Sequence, residues 1–203
     1  MNFCSHCGHN VTLAIPKNDQ RERYICTQCG IIHYQNPRII TGCLATYEDK
    51  VLLCRRAIEP QKGLWTLPGG FMENGETSAQ GAKRETLEEA NAQVEIDDLY
   101  GVFDVPHINQ VYMIYRGKLL SPDFSPGEES LEVKLFPQQD IPWCHLAFSI
   151  IPVLLKRYYK DQIKNHFPLI CDVAEQQSLN TSAVSYHPHH HIESPAPLTK
   201  RTN

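Results

Sequence analysis

From Gly70 to Ala92 the chain reads GFMENGETSAQGAKRETLEEANA, and its second half carries the signals that decide the fold. Thr77 followed by Gln80 is a capping box, in which each side chain satisfies a backbone N–H at the start of a helix. A helix is therefore expected to about Ala90. Asn91 follows where helices often end in a left-handed residue, a role Asn fills second to Gly. On this helix Glu85, Glu88 and Glu89 stand at i, i+3 and i+4, so their carboxylates share one face. Like charges at that spacing repel by roughly 0.2–0.5 kcal/mol per pair, and a cation between them reverses the sign. Hard divalent ions favour such oxygen ligands, and Mg²⁺ bridges carboxylates to substrate phosphates while keeping several waters. A solvated acidic helix face is the alternative. Ala79, Ala82, Thr86 and Ala90 form a separate stripe of small residues, which suits close packing on a sheet.

On either side the pattern changes to strands. Ile39–Tyr47 and Lys50–Arg56 are β-rich runs joined at Glu48-Asp49, a hairpin signal. Gly63 to Gly70 is punctuated by Gly and Pro and leads into a loop. Further strands are expected at Asp97–Val105, Val111–Leu119 and Leu131–Pro137, and an amphipathic helix over Leu146–Tyr159. Strands mixed with two helices imply an α/β chain with a mixed sheet between helices.

At the other end, Cys4-x-x-Cys7-Gly and Cys26-x-x-Cys29-Gly stand 18 residues apart. Two such knuckles match tetrahedral zinc, with Gly8 and Gly30 giving the tight turns. Four thiolates fill the shell, so His6, His9 and His33 are taken as surface residues. A closed site of this kind is structural rather than catalytic. The remaining cysteines, Cys43, Cys54, Cys144 and Cys171, lie among apolar neighbours and read as buried thiols of a reducing compartment, with the cytoplasm as the default.

The chain has 203 residues and a net charge of −4, with no cluster of Lys and Arg. This argues against general nucleic-acid binding, which relies on basic patches. No stretch reaches the ~18 uncharged apolar residues needed to span a bilayer, and Cys4 leaves no room for a secretory signal upstream. Composition divides the chain at 1–36, 37–165 and 166–203, the last read as a flexible tail ending in His187, His189, His190 and His191.

The stretch beginning at Gly70 resembles the Nudix box: Gly, five residues, Glu, seven residues, Arg-Glu-x-x-Glu-Glu, a spacer and Gly. Gly70, Glu76, Arg84, Glu85, Glu88 and Glu89 match in register, while Thr86 replaces the usual aliphatic residue and Asn91 the closing Gly. The resemblance implies a Nudix α/β/α sandwich behind a small zinc ribbon. It also implies Mg²⁺ or Mn²⁺ on Glu85, Glu88 and Glu89, with a backbone carbonyl near Gly69 or Gly70 completing the shell. Arg84 would orient these carboxylates and Glu76 would brace the loop. Of the second acidic group, Glu128, Glu129 and Glu132, Glu129 takes the metal-holding role by analogy with zinc-ribbon relatives, against the alternative of a solvated loop.

Such proteins resemble the NADH pyrophosphatases and a neighbouring branch acting on FAD and ADP-ribose, commonly as homodimers. Gly101 to Gln110 lacks the Ser-Gln-Pro motif of the former, which favours FAD or ADP-ribose, hydrolysed to AMP and the other phosphorylated half. The alternatives are an NADH or sugar-nucleotide pyrophosphatase, and a nucleotide sensor or RNA-binding protein without turnover. Phe103, His107 and Tyr112 are candidates to stack on a flat ring, with ordinary strand positions as the alternative. Arg55 or Arg56, at the end of the hairpin, is placed to reach a phosphate, Arg55 being taken first.

Overall fold

The computed structural model describes residues 1–174, and the histidine run lies outside the described residues. Strands β1 (Val11–Ala14), β2 (Arg23–Cys26) and β3 (Ile32–His33) form a small antiparallel sheet in that order. The two knuckles flank it. Gly8 and Gly30 have φ of +75° and +72°, the left-handed turns that their spacing predicts.

The remaining strands are β4 (Arg38–Tyr47), β5 (Lys50–Arg56), β6 (Trp65–Thr66), β7 (Gly69–Phe71), β8 (Val94–Val105), β9 (Gln110–Leu119), β10 (Ser130–Phe136) and β11 (Ile170–Val173). Helix α1 (Ser78–Ala90) falls between β7 and β8, and α2 (Ile150–Lys164) between β10 and β11. The main path of the sheet runs β10-β5-β4-β9-β8-β11, with β6 paired to β5 and β7 to β4. Pairs β4–β9 and β8–β11 are parallel and the others antiparallel, so the sheet is mixed.

Alternation along β4 and β5 sorts the two faces. Cys43, Ala45, Leu52 and Cys54 cluster with Ala82 and Ala90 of α1. Leu44, Val51 and Leu53 point the other way, into a larger cluster with Ile150, Leu154, Leu155 and Tyr158 of α2. The helices therefore cover opposite faces, giving the expected α/β/α sandwich. In the small-residue stripe Ala82, Thr86 and Ala90 are fully buried, while Ala79 is only half-buried.

Four sequence expectations are corrected. Helix α2 begins and ends later than Leu146–Tyr159, because Pro152 sits in its first turn, where a missing N–H costs nothing, rather than near its middle. Strand β8 begins at Val94 rather than Asp97, and register shifts at Ile96/Leu99 and Leu99/Gly101 break the alternation that would have revealed it. Strand β11 lies inside the segment read as a tail: Ile170 to Val173 add to the sheet edge, parallel to β8 from Gly101 to Asp104. Cys43 and Cys54 are buried, but Cys144 and Cys171 are exposed. Among the described residues no helix is long and apolar enough to cross a membrane.

Candidate active site and cysteine centre

The Thr77–Gln80 capping box is present in full, and Asn91 closes α1 at φ 47°, ψ 32°. These ends fix the rotation of the helix and with it the face that carries the glutamates. Strand β7 lies across that face, pairing Gly69 with Gly42 and Gly70 with Thr41. A Cβ on Gly70 would stand 2.6 Å from Glu85 Oε2, so only glycine leaves room for that carboxylate.

Arg84 ties the loop to the helix. Its guanidinium donates to both oxygens of Glu76 (3.1 and 2.9 Å), to Glu85 Oε1 (2.7 Å), to Glu88 Oε2 (2.9 Å) and to the Phe71 carbonyl (3.0 Å). Glu76 in turn accepts from the Glu73 backbone N–H at 2.8 Å. The Arg84 hydrogen bond holds the Glu76 carboxyl below its ordinary range. Burial raises Glu85, against the opposing pull of Arg84. Glu89 is 6% exposed and accepts a hydrogen bond from the Gly69 N–H at 3.3 Å. Burial, then the charge of Glu85, pushes its carboxyl up to about 8.

A cavity of about 770 Å³ opens over this face. Glu85, Glu88, Glu89, Gly70 and Arg84 line it, and so do Glu128 and Glu129 from the loop before β10. Seven glutamates reach its wall (Glu59 and Glu73 as well), against two cations, Arg56 and Arg84. Its apolar part includes Ile58, Pro60, Ile108, Tyr112 and Phe148.

Several expected residues lie elsewhere. Arg55 points away from the cavity and pairs with Glu132, its β10 partner, at 3.6 Å. Arg56 is the arginine at the wall, donating to the Pro60 carbonyl at 2.7 Å with its guanidinium 5.2 Å from the Phe148 ring centre. Successive residues on a strand face opposite sides, so the choice between the two depended on register alone. Phe103 is buried in the core under α2, and His107 is exposed and off the cavity wall. Of the three ring-stacking candidates only Tyr112 lines the cavity, with Phe148 beside it at 6.5 Å. Phe148 had no signal in the sequence, since it lies 36 residues from Tyr112 in an irregular segment.

The sulfurs of Cys4, Cys7, Cys26 and Cys29 all lie within 4.8 Å of one another. Pairs at 3.8 Å (Cys4–Cys29), 3.4 Å (Cys7–Cys26) and 3.5 Å (Cys7–Cys29) are close to the ~3.8 Å edge of a tetrahedron with zinc–sulfur bonds of ~2.3 Å. Backbone N–H groups of Cys29 and Gln28 point at Cys26 Sγ, each at 3.4 Å, and draw that thiol down to about 6, which suits a thiolate ligand. The set fits zinc. His33, expected at the surface, instead sets Nε2 3.3 Å from Cys4 Sγ and is half-buried, a neighbour of the ligands rather than one of them.

Comparison with known proteins finds a family model over each part of the chain. The zinc-ribbon model described as "Nudix N-terminal" matches residues 2–35, and the NUDIX domain model matches residues 36–156. A crystal structure of a NUDIX hydrolase from Nitrosomonas europaea is 57% identical with a TM-score of 0.83, covering 85% of this chain and 98% of that one. An ADP-ribose pyrophosphatase from Methanocaldococcus jannaschii is 29% identical over 122 residues, 57% of this chain and 70% of its own length. The NAD-capped RNA hydrolase NudC of Pseudomonas aeruginosa is 28% identical over 134 residues, 64% of this chain but only 45% of its own length. With one family model spanning more than half of its 203 residues and a second matching the cysteine knuckles, the chain belongs to the Nudix family and is a Nudix hydrolase with an N-terminal zinc ribbon.

Proposed function

We propose that the protein hydrolyses the diphosphate bond of FAD or ADP-ribose in the presence of Mg²⁺ or Mn²⁺, giving AMP and the other phosphorylated half. The observation that carries this reading is the charge of the cavity: seven glutamates face two arginines where an anionic diphosphate has to bind. Coulomb repulsion would exclude that substrate unless cations stood between. The donor set fits hard divalent ions, being all oxygen, and the nearly buried Glu89 has few protein partners of its own.

Glu85, Glu88 and Glu89 would hold the metal, which when bound neutralises the diphosphate and acidifies water. Arg84 orients Glu85 and Glu88 through its charge-assisted hydrogen bonds and, through Glu76, keeps the loop closed on the helix. Gly70 keeps the space beside Glu85 free. Glu129 supplies a further carboxylate to the cavity, from the loop before β10. Arg56 offers a cation on the cavity wall, beside Tyr112 and Phe148, whose rings suit a flat adenine or flavin. The volume falls within the range of small-molecule sites, roughly 300–1,000 Å³.

The relative named for ADP-ribose supports this substrate class, and the relative named for NAD-capped RNA adds a second candidate. The test is cleavage of FAD, ADP-ribose, NADH, ADP-glucose and NAD-capped RNA side by side, with Mg²⁺ and without it. It is read as AMP release from the first four and as release of the nicotinamide mononucleotide from the capped RNA. Metal-dependent cleavage of FAD or ADP-ribose above the rest is the expected result. Preference for NADH or the capped RNA overturns the substrate assignment. Binding without turnover on any of them overturns the catalytic reading in favour of a sensor. A cytoplasmic homodimer is the accompanying expectation, checked by light scattering and by fractionation of the producing cell.

A further inference from the structure

We propose that Asn91 is a positioning residue for the diphosphate site, its side chain holding the Ser125–Glu129 loop against the end of α1 so that Glu129 faces Glu85 and Glu89. The proposal rests on the reading of Glu129 as part of that site. Its ground is a set of contacts that a glycine at this position would not make. Asn91 supplies the left-handed backbone that ends the helix, as glycine would, but its Nδ2 also donates toward Ser125 Oγ (3.1 Å), the Pro126 carbonyl (3.2 Å) and the Ser125 carbonyl (3.3 Å).

The loop backbone completes the join. Ser125 N–H donates to the Ala90 carbonyl at 2.9 Å and Gly127 N–H to the Glu89 carbonyl at 3.0 Å. These are carbonyls that a helix end leaves without partners. The approach is so close that a Cβ on Gly127 would fall on the Glu88 carbonyl oxygen. The loop is therefore built onto the same turn of helix that carries Glu88 and Glu89. Its far end is held separately, where the Ala57 N–H donates to the Glu129 carbonyl at 2.8 Å. That second anchor ties Glu129 to the end of β5, and Asn91 sets its place relative to the helix.

Partners that orient a metal's ligands are worth roughly 10–100-fold in affinity or activity. The test uses the full zinc-loaded chain as wild type, Asn91→Gly, Glu129→Gln and the double variant. Mn²⁺ affinity is read by titration calorimetry, the Mg²⁺ requirement by turnover, and the amides of Ser125 and Gly127 by hydrogen exchange. Asn91→Gly keeps the backbone conformation and removes only the side chain. It is expected to weaken Mn²⁺ binding about tenfold, at the low end of that range. It should raise the Mg²⁺ needed for half-maximal turnover in parallel and speed exchange at the two amides. Glu129→Gln should weaken binding by itself, and adding Asn91→Gly should then cost little more, as residues acting through one another are not additive.

Wild-type Mn²⁺ affinity in Asn91→Gly, or its full loss added on top of Glu129→Gln, overturns the proposal. Wild-type behaviour of Glu129→Gln removes that residue from the site and the proposal with it, while Glu89→Gln still tests the diphosphatase reading independently. If Asn91→Gly does not fold, Asn91→Asp takes its place. Aspartate also tolerates the left-handed backbone and matches the size but cannot donate. Because its charge by itself changes Mn²⁺ affinity, the deciding readouts are then faster exchange at the Ser125 and Gly127 amides and non-additivity with Glu129→Gln, and wild-type exchange overturns the proposal.

Discussion

At the scale of single residues, the site places like charges together and leaves a cation to resolve the conflict. Glu89 is the sharpest case, nearly buried beside Glu85 with its carboxyl pushed up to about 8. The folded chain therefore retains a proton at pH values where the unfolded chain has released it. Without Mg²⁺, the contribution of this one group to stability is fully present below the ordinary Glu range and is lost as pH rises toward 8, with a ceiling of roughly 5 kcal/mol. Urea unfolding across pH 5–8 in zinc-replete buffer should show that decline, and Glu89→Gln should flatten it. The same variant is expected to lower turnover by more than about a hundredfold, the upper range for outer-shell partners alone, while zinc content stays unchanged. Arg56 and Arg55 provide a paired test. Arg56→Ala should raise KM several-fold with little change in kcat, as loss of a uniform binding contact does. Arg55→Ala, which loses only a half-exposed pair with Glu132, should leave both constants near wild type in the same assay.

At the scale of elements, α1 and α2 answer different needs. The small side chains of α1 bring its backbone close to β4, and that closeness carries Glu85 and Glu89 over Gly69 and Gly70 of β7. Helix α2 fills the opposite face with large side chains, and Leu154 at its centre is fully buried. Leu154→Ala should cost about 2–5 kcal/mol in thermal or urea unfolding, in the range for a buried leucine truncated in a packed core. It touches the sheet from the side away from the glutamates, so residual activity per folded molecule should be retained. The end of α2 carries a further polar tie, where Asp161 accepts from Tyr100 at 2.9 Å and from Arg157 at 2.9 and 3.0 Å. Burial opposes ionisation there, but these hydrogen bonds outweigh it and hold Asp161 below its ordinary range. Its contribution is present at neutral pH and is lost as pH falls through that lowered value.

At the scale of the whole molecule, a cysteine-held sheet of three short strands precedes a sandwich large enough to bury two apolar clusters of its own. So small a sheet has little apolar core, and metal binding is then folding energy outright. Cys26→Ser should lower zinc content and melt the ribbon, read by metal analysis and by the early part of a thermal unfolding curve. What the sequence determined alone was whatever depends on fixed spacing within one element: the capping box, the i, i+3, i+4 carboxylates, the cysteine knuckles and the left-handed Asn91. Local backbone geometry dictates those, whatever the rest of the chain does. Only the tertiary structure decided which arginine reaches the cavity, that Phe103 belongs to the core, that Phe148 joins Tyr112, and that Ile170–Val173 completes the sheet edge. Each of these depends on strand register or on segments far apart in the chain. A single-residue slip in register reverses every side chain, and here the register shifts within β8 and β10 interrupt the local alternation that would have marked it.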